Sequence, residues 1–278
     1  MSVSLGRQRL KEFVERIGVP AIRPSTSPFD PGYDLPTLVG HLDQCAHLMS
    51  TLKISMACWM IADEAISRGK IAAARAHRVK PVAGGGPFEI AAAHDQLPAY
   101  LDLCADMGFA RIECGQGFTD VPLDPARIVA MARERGLETQ FELGSKHAGP
   151  FTAGMLGRLI DHGRSWLDAG ARQVVVEARE SAREVGLFDQ RQRLNGTIAD
   201  RLANAFGLDL LVFEAPTKAS QFSLLDHFGP EVQLANVRLE ELLRVEIYRR
   251  GLHADAFAKD KLRRVPGRAD GPARGRAG

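Results

Sequence analysis

Four short apolar segments of this chain each end in a glutamate. The segments are Arg111-Ile112-Glu113, Gln140-Phe141-Glu142, Val175-Val176-Glu177 and Val212-Phe213-Glu214. If each segment is a strand of one parallel sheet, the four carboxylates lie at equivalent strand ends and face a common space. Crowded carboxylates repel one another unless positive charge lies between them. The sequence therefore predicts a basic side chain among them, or a divalent cation bound by oxygen ligands.

Basic residues follow several of the same segments. Lys146, Arg179 and Lys218 lie just downstream of the last three glutamates, and Lys53 lies in an earlier apolar run. Each of these positive side chains, taken singly, is also compatible with an ordinary solvated or bridging role. Because they recur at successive strand ends, we interpret them together as one functional site.

The elements that must position these residues alternate regularly along the chain. Apolar runs of strand length are predicted at 27–29, 52–56, 80–83, 109–114, 139–143, 173–178, 210–213 and 232–235. Helical periodicity is predicted at 36–49, 60–77, 88–107, 125–135, 152–169, 191–206, 219–228 and 239–250. Eight strand and helix pairs predict an α/β fold, a parallel (β/α)8 TIM barrel, with active-site residues at the carboxyl ends of the strands. A doubly wound open sheet is the alternative, but no Gly-rich dinucleotide turn follows the first strand.

Composition fits one catalytic domain with no nucleic-acid or membrane partner. The formal net charge is +2, and no apolar run reaches the ~18 residues of a membrane span. The four cysteines show no CxxC spacing, which favours reduced thiols in a cytoplasmic protein. We expect the barrel domain, with a short N-terminal helical extension, at 1–257, and a disordered basic tail rich in Gly, Pro and Arg at 258–278.

Two positions predict binding of a small anionic phosphorylated substrate. Gly84, Gly85 and Gly86 precede a predicted helix, whose N-terminal N–H groups could receive an anion, although a tight turn explains the glycines equally well. The loops after strands seven and eight, the usual phosphate site of such barrels, carry Lys218 and Asn236.

Several of these segments together resemble the phosphosulfolactate synthase family. The resemblance covers about residues 27–257 and is carried by Gly84-Gly85-Gly86-Pro87-Phe88-Glu89-Ile90-Ala91, Glu142-Leu143-Gly144-Ser145-Lys146, Val176-Glu177-Ala178-Arg179-Glu180-Ser181, Phe213-Glu214-Ala215-Pro216 and Phe228-Gly229-Pro230. It implies a magnesium-dependent barrel enzyme that adds sulfite to phosphoenolpyruvate. The same family includes a plant heat-stress-associated protein.

The resemblance also implies roles for the site residues. Lys146 is expected to act as general acid, and Arg179 to bind phosphate or sulfonate through its guanidinium. Lys53 and Lys218 are expected to attract the anionic substrate. Glu142 and Glu177 are the favoured magnesium ligands, with Glu113 and Glu214 as further ligands or as partners of the basic groups.

The early strand ends depart from the family pattern. Asp30-Pro31-Gly32 lacks a lysine, Lys53 is followed by an unusual segment, and Gly115-Gln116-Gly117-Phe118 has an amide where the family has an acid. Two alternatives therefore stay open: a divergent enzyme acting on another enol phosphate or small phosphorylated acid, and a non-catalytic barrel protein. The sequence leaves the oligomeric state undetermined.

Overall fold

A computed structural model describes residues 2–257 and 259–262 of the chain, with the backbone alone for residues 2–8. Its eight strands are β1 Thr26–Asp30, β2 Thr51–Ile54, β3 Lys80–Ala83, β4 Arg111–Gly115, β5 Glu138–Leu143, β6 Val174–Val176, β7 Leu211–Glu214 and β8 Gln233–Arg238. All neighbouring strands are parallel, and β1 pairs with β8, so the sheet is closed. The predicted (β/α)8 barrel is confirmed, and the open-sheet alternative is excluded.

Helices connect the strands on the outside of the barrel. They are α1 Ser2–Arg16, α2 Leu35–Cys45, α3 Cys58–Ile61, α4 Glu64–Ala76, α5 Gly85–Ala93, α6 Leu97–Met107, α7 Pro125–Glu134, α8 Leu156–Ala169, α9 Gly196–Phe206, α10 Lys218–Phe228 and α11 Leu242–Arg249, with 3₁₀ turns at Ala46–Leu48 and Leu239–Glu241. α1 precedes the first strand, where an N-terminal helical extension was expected.

Successive side chains along each strand point alternately to the outer helical layer and to the barrel interior, which separates core residues from site residues. On β5, the Phe141 ring stacks on Trp166 of α8, 4.7 Å between centroids, so it faces the outer helical layer. The flanking Gln140 and Glu142 consequently face the barrel interior, because successive side chains of a strand point to opposite faces. A small apolar cluster of Val175, Val212 and Ala235 is separate from the main core.

Two predicted helices are interrupted. The predicted helix 60–77 divides at Ala62, because the Asp63 side chain caps α4 by accepting from the Ile66 N–H at 3.1 Å. The predicted helix 88–107 divides into α5 and α6, and Asp95 between them has a left-handed backbone, φ 56°. Both breaks occur at aspartates, which favour caps and turns over helix interiors.

The start of the predicted basic tail contacts the barrel. Lys259 Nζ lies 2.7 Å from Asp226 Oδ2, and Leu262 is only 2% exposed. Residues 258 and 263–278 of the predicted tail lie outside the described part of the chain. No helix among the described residues is long and apolar enough to cross a membrane.

Candidate active site

The carboxyl ends of the strands surround one cavity of about 750 Å³. The predicted site residues that line it are Lys53, Gly85, Gly86, Glu113, Glu142, Lys146, Glu177, Arg179, Glu214 and Asn236. Residues scattered over most of the sequence are thus brought together as the strand-end pattern predicts. Lys218 is the exception.

Lys53 of β2 lies between two glutamates from distant strands. Its Nζ is 2.8 Å from Glu113 Oε1 and 3.5 Å from Glu214 Oε1. Burial disfavours a charged ammonium, and Lys53 is only 6% exposed. The neighbouring carboxylates outweigh this desolvation and raise the pKa of Lys53 above its ordinary value, so the side chain stays charged at neutral pH.

The carboxylate of Glu113 is fully engaged by hydrogen-bond donors. Oε1 accepts from Lys53 and from the Gly85 N–H at 3.2 Å, and Oε2 accepts from Gln140 Nε2 at 2.8 Å. Burial would raise the pKa of Glu113, but the Lys53 ammonium and these donors lower it. The Gly85 N–H, predicted to bind substrate, is therefore already used to orient a glutamate.

Lys146 forms a second ammonium centre with the other two glutamates. Its Nζ lies 2.7 Å from Glu142 Oε1 and 3.0 Å from Glu177 Oε2. Burial lowers the pKa of Lys146, yet the two carboxylates outweigh burial and raise it. The Lys146 side chain is 26% exposed, which leaves part of it accessible from the cavity.

Burial raises the pKa of three of the four glutamates. Burial, followed by the nearby Glu177 carboxylate, raises the pKa of Glu142 well above its ordinary value. Burial and Glu214 likewise raise the pKa of Glu177, and burial raises that of Glu214 although Lys53 opposes it. Four glutamates surround two ammonium groups, so the carboxyl groups outnumber the cations that pair with them.

Glu214 and Asn236 join the last two strands. Glu214 Oε2 accepts from the Ala178 N–H at 2.9 Å, and Glu214 Oε1 accepts from Asn236 Nδ2. Asn236 has a left-handed backbone, φ 54°, and its buried Oδ1 has no hydrogen-bond partner among the described residues. This free acceptor lies on a residue that lines the cavity, so a donor group of a ligand could satisfy it.

Arg179 lies on the loop that follows β6. Its backbone is left-handed, φ 55°, and its N–H donates to Glu177 Oε1. The guanidinium donates to the Lys146 carbonyl oxygen at 3.2 Å and lines the cavity. A side chain at Gly186 would clash with the Glu177 carbonyl oxygen at 2.1 Å, so a glycine is needed for the loop to return to the strand end.

The structure places Lys218 away from the cavity and Arg238 at it. Lys218 Nζ lies 3.8 Å from Asp255 Oδ2 and 5.1 Å from the Phe222 ring centroid. Arg238 lines the cavity, with its guanidinium 5.8 Å from the Phe29 ring centroid. Sequence reasoning missed Arg238 because strand eight was predicted to end at 235, three residues before the end of β8.

Glu89 is a further buried carboxylate near the site, and sequence reasoning also missed its role. On α5, its Oε2 accepts from the Phe118 N–H at 3.0 Å and the Thr119 N–H at 3.2 Å. It therefore holds the loop after β4 against α5. The sequence does contain one indication of this role: Glu89 is a single acidic residue between the apolar residues Phe88 and Ile90.

Glu142 and Glu177 fit a magnesium ion better than the other two predicted ligands. Each presents a carboxylate oxygen to the part of the cavity around Lys146, and carboxylate oxygens are suitable magnesium ligands. Glu113 and Glu214 are engaged by Lys53 and by amide donors. Within the described residues, no three His, Cys, Asp or Glu side chains converge to hold a metal alone. Magnesium commonly uses one or two carboxylates plus substrate and water ligands, so two glutamates suffice.

Comparisons with known proteins identify sequences that are similar to this chain. The sequence model of the (2R)-phospho-3-sulfolactate synthase (ComA) family matches residues 16–255. A phosphosulfolactate synthase of Methanocaldococcus jannaschii is 29% identical over 79% of this chain and 88% of its own length. Another, from Methanothermobacter thermautotrophicus, is 32% identical over 68% of this chain and 73% of its own length.

A solved structure supports the fold alone. The crystal structure of KGPDC from Streptococcus mutans has a TM-score of 0.51 and 13% sequence identity. The alignment covers 88% of this chain and 100% of the KGPDC chain.

Proposed function

The chain belongs to the (2R)-phospho-3-sulfolactate synthase family, and from that premise we propose that it adds sulfite to phosphoenolpyruvate in a magnesium-dependent reaction. The product is 2-phospho-3-sulfolactate. The observation that carries the proposal is Lys146, whose ammonium lies between Glu142 and Glu177 in a cavity that also presents two guanidinium groups. In this arrangement the Lys146 ammonium can protonate a substrate carbon. The guanidinium groups supply positive charge that attracts a substrate with several negative charges.

The proposed reaction has two bond changes. The sulfur of sulfite forms a bond to the methylene carbon of the enol phosphate, and the electron pair of the carbon–carbon double bond moves toward the carboxylate. The adjacent carbon, which keeps its phosphate, then receives a proton. No group leaves, so sulfite, substrate and one proton account for every atom of the product.

Lys146 is the group best placed to supply that proton. Its raised pKa keeps it protonated, and proton transfer to an enolate-like carbon is favourable even from a weakly acidic ammonium. Glu142 and Glu177 hold Nζ from two sides, which restricts its position. Restricting the donor in this way favours delivery to one face of the carbon, as a single product configuration requires.

The guanidinium groups and Lys53 would bind the charged ends of the substrates. Arg179 and Arg238 line the cavity and suit phosphate or sulfonate, which a planar fork of donors binds in a bidentate manner. Lys53 is held deeper, by Glu113 and Glu214, and attracts the carboxylate end as a fixed positive charge.

Magnesium would be held by Glu142 and Glu177. When bound, the ion supplies Lewis-acid stabilisation of the negative charge that develops on the substrate carboxylate. Its charge also offsets the excess of carboxylates over ammonium groups, which would otherwise repel an anionic substrate.

Phosphorus NMR tests the proposal directly. The full chain is incubated with phosphoenolpyruvate, sulfite and magnesium, and we expect conversion of the enol phosphate signal to that of an alkyl phosphate. Omitting sulfite or magnesium should stop the conversion. Magnesium-dependent conversion of a different phosphorylated acid, with none of phosphoenolpyruvate and sulfite, would refute the proposal.

A further inference from the structure

Glu89 of α5 is buried, and one of its carboxylate oxygens holds the loop that follows β4. Oε2 accepts hydrogen bonds from the Phe118 N–H at 3.0 Å, the Thr119 N–H at 3.2 Å and the Thr119 hydroxyl at 3.3 Å. Donors form stronger hydrogen bonds with a carboxylate oxygen than with a neutral acceptor. The three donors therefore fix residues 118 and 119 against α5.

The residue before Phe118 supports Lys146. The Gly117 carbonyl oxygen accepts from the Lys146 N–H at 2.7 Å and from the Ser145 hydroxyl at 3.2 Å. Gly117 also lies beside the lysine side chain, because an added Cβ would be 3.1 Å from Lys146 Cγ. The loop after β4 thus meets both the backbone and the side chain of Lys146, and a shift of this loop would move the lysine.

The second oxygen of Glu89 is buried near Glu142. This oxygen, Oε1, has no hydrogen-bond partner among the described residues. A Cβ added at Gly115 would lie 3.4 Å from Glu89 Oε1 and 3.4 Å from Glu142 Cβ, so Gly115 separates the two acids. A buried acceptor without a donor lowers stability. That cost is unfavourable for a residue that only packs the barrel, and it is typical of residues that serve a site.

We infer that Glu89 is a positioning residue of the active site, which sets the position of the Lys146 ammonium by holding residues 117–119. The inference rests on the proposed function, because it concerns the lysine that is proposed to protonate the substrate. Glu142 and Glu177 pair with Nζ at the tip of the lysine. Glu89 acts at the other end, through the loop that accepts from the Lys146 N–H. Replacing Glu89 should therefore release the lysine while both of its ion-pair partners remain.

Amide hydrogen exchange, followed by NMR, tests the inference without requiring turnover. Glu89→Met keeps a side chain of similar length and removes both acceptor oxygens, whereas Glu89→Gln keeps one of them. Because hydrogen bonds to a carboxylate are lost, exchange of the Phe118, Thr119 and Lys146 N–H groups should be about tenfold to a hundredfold faster in Glu89→Met. The increase should be smaller in Glu89→Gln, which retains a neutral acceptor.

Asp189→Asn is the matched control for Glu89→Gln. Asp189 Oδ1 also accepts from two loop N–H groups, those of Arg191 at 2.8 Å and Arg193 at 2.9 Å, but Asp189 does not line the active-site cavity. This variant should leave the exchange of the Lys146 N–H unchanged. Thermal melts should show that all of these variants are folded.

Turnover gives a second measurement, which a purely structural role would not change in the same way. Glu89→Met should lower turnover of phosphoenolpyruvate and sulfite roughly tenfold by displacing Lys146. The KM for phosphoenolpyruvate should change by less than about twofold, because Glu89 itself does not line the cavity. In the Lys146→Ala background, Glu89→Met should cost less than about twofold, since residues that act as a unit have non-additive effects.

Three results would overturn the inference. The first is unchanged exchange of the Lys146 N–H in both Glu89 variants, and the second is an equal relative loss of turnover in the wild-type and Lys146→Ala backgrounds. The third is uniformly faster exchange across the barrel with a lower melting temperature, because Glu89 would then support the whole fold. Faster exchange at Lys146 in a protein that does not react phosphoenolpyruvate with sulfite would refute the proposed reaction and support the placement of Lys146 by Glu89.

Discussion

Lys146 Nζ lies 2.7 Å from Oε1 of Glu142, four residues earlier in the chain. The glutamate is the second-to-last residue of strand β5, and the lysine lies in the loop beyond it. The backbone of that loop is fixed by the Lys146 N–H, which donates to the Gly117 carbonyl oxygen at 2.7 Å. The ammonium thereby also reaches Glu177 of the next strand end. A charged donor at a fixed point of the cavity is what proton delivery to carbon requires.

Replacing Lys146 should abolish most of the proposed activity. We expect Lys146→Ala to lose roughly two to four orders of magnitude in turnover of phosphoenolpyruvate and sulfite, the usual effect of a positioned general acid. Lys218→Ala is the matched control, because its Nζ lies beside Asp255 and Phe222, away from the cavity. Rates from phosphorus NMR compare the two. Equal losses in both variants would contradict the role given to Lys146 and the placement of Lys218.

Glu177→Gln should weaken magnesium binding and stabilise the metal-free protein. The raised pKa of Glu177 means that its charged form is disfavoured in the fold, so a neutral isostere should add about 1 kcal/mol to the free energy of unfolding. Calorimetric titration with magnesium and denaturant unfolding measure the two effects. Glu134→Gln, at an exposed position of α7, is the control and should change neither. Unchanged magnesium affinity would remove Glu177 from the ion site.

Glu113→Gln should have the opposite effect on stability. The lowered pKa of Glu113 reflects its pairing with buried Lys53, so losing the charge should cost about 1–3 kcal/mol of unfolding free energy. A folded pKa below the ordinary value of 4.5 gives stability that is present above that pH and is lost as pH falls through the folded pKa. The stability difference between wild type and Glu113→Gln should therefore shrink below about pH 4.5. Urea unfolding at several pH values measures it, and a constant difference would contradict the pairing.

The sequence predicted the barrel and most of its centre, because both depend on local patterns. Glu113 in the middle of β4 and Glu142 near the end of β5 both follow short apolar runs, and in a closed parallel sheet the inward-facing residues of the strands must meet. Knowing which residues follow the strands was therefore sufficient to place the glutamates and Lys146 in one cavity.

The structure adds what the sequence could not indicate where the position of a side chain depends on distant contacts. Lys218 starts α10 as expected of a phosphate ligand, but Phe222 one turn later and Asp255, far along the chain, draw it away. Arg238 lines the cavity, and it was missed because β8 is longer than its apolar run. The role of Glu89 depends on a loop 30 residues away, which no local pattern reveals.

Truncation should separate two parts of the basic tail. Deleting 263–278 should leave the melting temperature nearly unchanged, because a segment rich in Gly, Pro and Arg has little apolar area to bury. Deleting from Ala258 onward also removes Leu262, which is buried, and the Lys259 contact with Asp226. The longer deletion should cost about 1–3 kcal/mol, mostly from Leu262. Calorimetry measures the melting temperatures of both truncated chains. Equal melting temperatures would show that Leu262 contributes nothing to the stability of the fold.

Gly117 lies directly beside the Lys146 side chain. An added Cβ at Gly117 would lie 3.1 Å from Lys146 Cγ, 3.2 Å from Lys146 Cε and 3.3 Å from Glu142 Oε1. Gly117→Ala should therefore displace the ammonium while leaving all charged groups present. The contacts require the Lys146 side chain to shift by a few tenths of an ångström. Since a displacement of about 1 Å can cost roughly a hundredfold in rate, we expect a loss of about twofold to tenfold in turnover. Gly157→Ala is the control, because no heavy atom lies within 4 Å of its added Cβ. Wild-type turnover in Gly117→Ala, with its melting temperature unchanged, would show that the reaction does not depend on where Lys146 is held.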